Sequence, residues 1–212
     1  MARSFISNDN KNIFIVNFKC GFSSFCKLVE LKKIRWLDIN TINNYPSSNI
    51  YLIVRNPYNR FLSFYNEKFV SAYNNTHIQK ENRVKLGKNN EQLCQKLLYK
   101  YHNKDDLFNM RFSITDLINC IKKGYKDYEP PHHTTSHMIK QSECVKNIKN
   151  INKLKIIKLE DTDYSIKLGK ILGFKFPHEN NNKSSNLMHL LDNKDKQFIY
   201  EYYKEDFEMF NY

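Results

Sequence analysis

No two cysteines in this chain are spaced as C-x-x-C, and the five present, Cys20, Cys26, Cys94, Cys120 and Cys144, are odd in number. Both facts argue against a disulfide framework or a zinc ribbon and make a reducing compartment the simpler home. Long apolar runs are missing too. The first apolar stretch falls far short of the ~18 residues that cross a bilayer, and the opening MARSFISNDNKN is polar with no signal-type apolar region. A cytoplasmic protein without a transmembrane segment is therefore expected. The chain has no G-x-x-x-x-G-K-[ST] loop, which weighs against a nucleoside triphosphatase, no H-E-x-x-H and no internal repeat. Acidic residues are scarce, 22 Asp and Glu against 34 Lys and Arg, which leaves a formal net charge of +12. That excess favours an anionic partner such as a nucleotide, a polyanionic glycan, nucleic acid or a lipid surface. Charge alone does not choose among them, and lysines scattered among asparagine and isoleucine are ordinarily a solvated surface. What the chain does have is core material. With 41% hydrophobic and 14% aromatic residues over 212 positions, one domain spanning 1–212 is expected despite a mean hydropathy of −0.68.

The most informative stretch is Ile50 to Phe69, IYLIVRNPYNRFLSFYNEKF. Ile50, Leu52, Ile53 and Val54 read as a buried strand, Asn56 suits a helix cap, and Pro57 fits the first helical position, where no backbone N–H is missed. Arg55 then lies at the strand's carboxyl end, the edge where open α/β sheets bind ligands. There Arg55, the N–H groups of the new helix and the Ser63 hydroxyl can converge on one anion. Asn12 to Val29, NIFIVNFKCGFSSFCKLV, repeats the pattern. An apolar run from Ile13 to Val16 leads into a short loop with Lys19 and Gly21. Ser23 and Ser24 open a helix with Phe25, Leu28 and Val29 on its apolar side. The lysine brings a mobile charge, the glycine permits close backbone approach, and the serines add hydroxyls to a helix N-terminus. Two such cradles suit a nucleotide phosphorylated at two separate places.

Lys19-Cys20-Gly21-Phe22-Ser23-Ser24 resembles the 5′-phosphosulfate loop of sulfotransferases that use 3′-phosphoadenosine 5′-phosphosulfate (PAPS). The run from Val54 through Arg55, Arg60 and Ser63 to Tyr65, with Lys68-Phe69, resembles their 3′-phosphate motif, closest to the Golgi carbohydrate sulfotransferases of the HNK-1 and chondroitin type. The loop departs from that pattern at Phe18, where a proline is common, and at Ser23, where threonine is commoner. Leu154 to Asp161, the Ser184-Ser185-Asn186 run and the ending on Tyr203, Asp206, Phe207, Phe210 and Tyr212 continue the likeness. The resemblance implies an α/β fold with a mainly parallel, P-loop-like central sheet flanked by helices. It implies PAPS as donor, adenosine 3′,5′-bisphosphate as product and a hydroxylated acceptor, with a glycan favoured. Lys19, Cys20, Gly21, Phe22, Ser23 and Ser24 would hold the 5′ end, and Arg55 and Ser63 the 3′-phosphate. Lys19 would also offset charge on the leaving oxygen. His133 would take the acceptor proton, with Asp38 and Glu30 as the carboxylate alternatives. A nucleotide-binding phosphotransferase and a non-enzymatic binder of nucleic acid or sulfated glycan remain open as other classes.

The remaining pattern predicts strands at 12–17, 35–39, 50–54 and 154–159. It predicts helices at 23–33, 57–73, 91–101, 114–123, 163–172 and 193–209, and a mobile polar loop at 74–90. In Tyr128 to Gln141, YEPPHHTTSHMIKQ, the double proline excludes regular structure at the start. His133 and His137 are four apart, but no third ligand is evident and no metal is expected.

Overall fold

Successive residues of a strand point to opposite faces of its sheet, so a strand apolar at every position needs cover on both sides. Asn12–Val16 (β2) and Asn49–Val54 (β4) are of this kind, with every residue after the first buried. A computed structural model of the chain describes residues 2–67, 113–124, 137–146, 148–149, 151–177 and 184–212. In it the two strands lie at the centre of a five-stranded sheet. With Arg3–Ser7 (β1), Ile34–Leu37 (β3) and Leu154–Lys158 (β5), the order is β3-β1-β2-β4-β5. β2, β4 and β5 pair in parallel, while β1 is antiparallel to both β2 and β3, so four of the five strands run one way.

Helices cover both faces. Phe14, Val16, Tyr51 and Ile53 pack with Phe25 and Leu28 of Phe22–Glu30 (α1) and Leu168 of Tyr164–Leu172 (α4). On the other face Ile13, Ile15, Ile50, Leu52 and Val54 meet Cys144, Val145 and Phe210. A further layer joins Phe61, Leu62 and Phe64 of Pro57–Tyr65 (α2) to Leu117 and Ile118 of Ile114–Lys122 (α3), Ile199 of Asn193–Tyr202 (α5) and Phe207 of Lys204–Phe210 (α6). The parallel strands end at one edge, where the turns into α1 and α2 stand side by side.

Two elements depart from expectation. β1 is not anticipated by the pattern, because only Phe5 and Ile6 are large and apolar in it. Its buried serines are satisfied locally, Ser4 Oγ donating to the Leu37 carbonyl at 2.8 Å and Ser7 Oγ to Asp9 Oδ1 at 2.6 Å. The expected helix at 193–209 is two helices, α5 and α6, divided at Tyr203. Nothing in the sequence marks that break, since no glycine or proline is present and Ile199, Tyr203, Phe207 and Phe210 keep helical spacing. The helix expected at 57–73 runs from Pro57 to Tyr65, and its further residues from Lys68 lie outside the described ones, as do the 74–90 loop and the 91–101 helix.

Candidate active site

Between Val16 and Phe22 the chain must turn from β2 into α1, and it does so through two left-handed residues. Lys19 has φ 67° and Gly21 φ 79°. Glycine accepts that conformation freely, whereas lysine gives up roughly 1–2 kcal/mol, so the surrounding bonds must hold it there. They are numerous. Asn17 Oδ1 accepts from the Phe18 N–H at 2.8 Å, and its Nδ2 donates to the Ile139 carbonyl at 3.3 Å. Arg55 Nη1 donates to the Lys19 carbonyl at 3.2 Å, and Arg60 Nε to the Phe18 carbonyl at 3.3 Å. A Cβ at Gly21 would meet nothing nearer than a Leu159 methyl at 3.7 Å, so backbone conformation rather than space makes glycine fit here.

Gly21 is also the N-cap of α1, and as a glycine it has no side chain with which to cap that helix. The first turn therefore presents its N-terminus, with Ser23 exposed and Ser24 buried, to the edge where a phosphate binds well. The Lys19 ammonium is mostly buried and forms an ion pair with Glu67. Cys20 lies beneath the loop, fully buried, and burial pushes its thiol from 9.0 up to about 12.

The second turn, from β4 into α2, is built differently. Asn56 Oδ1 accepts from the N–H groups of Tyr58 at 3.0 Å and Asn59 at 3.4 Å, and Pro57 follows it as expected. The Tyr58 and Asn59 N–H groups expected to face an anion are thus engaged by the protein's own cap. The Asn56 N–H donates to Glu160 Oε1 at 3.0 Å, and Tyr212 donates its hydroxyl to Glu160 Oε2 at 3.0 Å. What this turn offers an anion is the Arg55 side chain. Burial lowers its guanidinium from the ordinary value, though arginine keeps its charge. Ser63 is buried on α2, about 9 Å along the helix from Pro57.

Three residues without an assigned role connect the turns. Gln141, fully buried, accepts at Oε1 from the Arg55 N–H at 2.8 Å and the Cys20 thiol at 3.2 Å, and donates from Nε2 to the Arg55 carbonyl at 2.9 Å. The Asp206 carboxylate accepts from the Gln141 and Ser142 N–H groups, each at 2.8 Å. Arg60, 1% exposed, donates from Nη2 to the carbonyls of His137 at 2.8 Å and Ile139 at 2.6 Å, and its Nη1 lies 4.0 Å from Asp206. One signal for Arg60 was in the sequence. Pro57, Arg60, Phe61 and Phe64 have helical spacing and all face inward, so a charge on that stripe required buried partners.

The other candidates stand apart. Glu30 is exposed at the far end of α1, about 12 Å from Phe22, and pairs with Lys27 at 3.1 Å. Asp38 Oδ1 accepts from the Asn40 N–H at 3.0 Å as the cap of the 3-10 helix Ile39–Asn44. His133 lies outside the described residues. His137 is buried with its ring 4.9 Å from that of Phe18 and 5.6 Å from that of Phe64. Among the described residues no group of three His, Cys, Asp or Glu could hold a metal, and no helix is long and apolar enough to cross a membrane.

This edge thus places a lysine loop and a helix N-terminus that opens on glycine beside an arginine, the two joined by the Arg55–Lys19 hydrogen bond. Such an arrangement can bind a ligand carrying two separated anionic groups and offset charge that develops between them. The chain matches the model of a family described as the sulfotransferase family over residues 9–212. No curated protein and no solved structure matches it.

Proposed function

The chain belongs to the sulfotransferase family, and from that premise we propose that it transfers a sulfuryl group from PAPS to an acceptor hydroxyl, with a glycan as the favoured acceptor class. The observation that carries the reading is the pairing of the two turns, in which Arg55 Nη1 reaches the Lys19 carbonyl at 3.2 Å. A donor with phosphates at two positions matches two adjacent cationic turns better than a triphosphate, which would use one glycine-rich loop.

When bound, the donor supplies an activated sulfuryl group. Lys19 offsets the charge left on the bridging oxygen, and the α1 N-terminus with Ser23 and Ser24 holds the 5′-phosphate, with Cys20, Gly21 and Phe22 shaping that turn. Arg55 and Ser63 hold the 3′-phosphate. His133 accepts the proton of the attacking hydroxyl, with Asp38 and Glu30 as the carboxylates to compare. The sulfuryl group ends on the acceptor oxygen, the proton on the base, and adenosine 3′,5′-bisphosphate leaves.

Thermal denaturation with ligand tests the reading. A ligand that binds only the native state stabilises it by RT ln(1 + [L]/Kd), so adenosine 3′,5′-bisphosphate should raise Tm and ATP should not. A rise with heparin alone, abolished by salt, would instead mark a polyanion binder. Incubating labelled PAPS with glycan, tyrosyl-peptide and small hydroxylated acceptors then identifies the acceptor. His133→Asn should abolish turnover while leaving nucleotide binding intact; retained turnover together with an inactive Asp38→Asn or Glu30→Gln moves the base to that carboxylate.

A further inference from the structure

We propose that Gln141, locked in place by Asp206, is a positioning residue that sets the spacing between the two phosphate-binding turns; the proposal rests on the two-turn donor reading above. Hydrogen-bond geometry carries it. The Gln141 amide pairs with both the N–H and the carbonyl of Arg55, continuing β4 by one rung beyond Val54, while the same Oε1 accepts from the Cys20 thiol in the other loop. One side chain thereby touches both turns. It is anchored from behind, because the fully buried Asp206 carboxylate takes the backbone N–H groups of Gln141 and Ser142, one on each oxygen. Arg60 adds the third side. Its guanidinium reaches back to the Phe18 carbonyl of the lysine loop and forward to the His137 and Ile139 carbonyls of the segment that leads to Gln141.

Each contact is made to backbone or to a buried group, so the network does not spend its polar groups on ligand. It fixes instead where the Lys19 loop lies relative to Arg55. A rigid ligand with two anionic ends is sensitive to that distance, since a misplacement of about 1 Å costs on the order of 100-fold in rate for reacting groups. A ligand with one anionic end is not, because it settles in either turn alone. Asp206 comes from α6 near the end of the chain, so this last helix contributes to the donor site without lining it.

The experiment uses the full chain and three probes measured by calorimetry: adenosine 3′,5′-bisphosphate, adenosine 5′-monophosphate and adenosine 3′-monophosphate. Gln141→Ala should weaken the bisphosphate by about 10-fold or more, the scale of leaving buried partners unpaired, and each monophosphate by less than about 3-fold. A residue that only supports the fold would lower all three affinities by one factor, and that result, or an unchanged bisphosphate affinity, overturns the proposal. Circular dichroism reports whether the variant is folded. If Gln141→Ala is not, Gln141→Met replaces it, keeping the length of the side chain and its neutrality while losing its hydrogen bonds to Arg55, with the same selective loss expected. The underlying reading fails in a different way: the wild-type protein would then bind the bisphosphate no more tightly than the monophosphates.

Discussion

The turns from β2 into α1 and from β4 into α2 leave the same edge of the same sheet, yet one opens its helix on a glycine and the other on an asparagine that caps it. At the second, Asn56 accepts from two N–H groups of α2 and Pro57 removes a third donor, so the helix end is satisfied before any ligand arrives. At the first, Gly21 offers no side chain, and a left-handed lysine is held by bonds from Arg55, two residues before α2, and from Arg60 on it. A self-capped helix is a rigid support from which a side chain reaches out. A helix that opens on glycine beyond a strained loop presents its N-terminus to a bound anion. The difference assigns binding through a side chain to the second turn and binding through a helix end, with the Glu67-paired charge of Lys19 beside it, to the first.

The largest effect expected from this division is on turnover. Lys19→Ala should lower kcat by about 100-fold or more, as loss of one transition-state donor does, with a smaller change in donor affinity. Steady-state kinetics at saturating PAPS decides it, and near-normal kcat would remove chemistry from the first turn. Arg55→Lys should act on binding. Losing the fork should weaken adenosine 3′,5′-bisphosphate by about 10-fold and adenosine 5′-phosphosulfate, which lacks the 3′-phosphate, much less. Calorimetry on both ligands separates the outcomes. Equal losses would mean that Arg55 matters for its bond to the Lys19 carbonyl rather than for phosphate.

Much of the site's frame was legible because strand and helix periods differ and because Pro57 and Gly21 mark their turns. β4 and α4 fall close to where their apolar spacing put them, and α2 starts at Pro57 with Asn56 as its cap, as their positions suggested. The bracing was not legible. Gln141, Asp206 and Arg60 lie 65 to 86 residues from several of their partners, and such pairings leave no local period to read. Arg60 alone carried a local sign, its charge on an apolar stripe. β1 escaped because half its burial comes from serines whose hydroxyls find nearby acceptors.

Alkaline pH probes the first turn from beneath. Burial holds the Cys20 thiol at about 12 against an ordinary 9.0, so above pH 9 the unfolded chain releases a proton that the folded chain keeps. Stability contributed by that protonated thiol therefore falls as pH rises from about 9 toward 12. Between about pH 8 and about pH 10 the wild type should lose on the order of 1 kcal/mol more than Cys20→Ala in urea denaturation. Equal losses would show that the thiol is not sealed under the loop.

The smallest effect bears most directly on the contrast between the two helix ends. Asn56→Ala removes the side-chain acceptor from Tyr58 and Asn59 and should cost about 1 kcal/mol of stability, the usual worth of an N-cap. The informative quantity is how that loss changes with ligand. If α2 is completed by the protein alone, saturating adenosine 3′,5′-bisphosphate raises the stability of wild type and variant by the same amount, and the difference in urea denaturation persists. If the difference instead closes when the nucleotide is present, its phosphate has taken the place of the Asn56 carbonyl oxygen at the helix end. Both turns would then bind anions through helix N-termini, and the division of labour between them would be wrong.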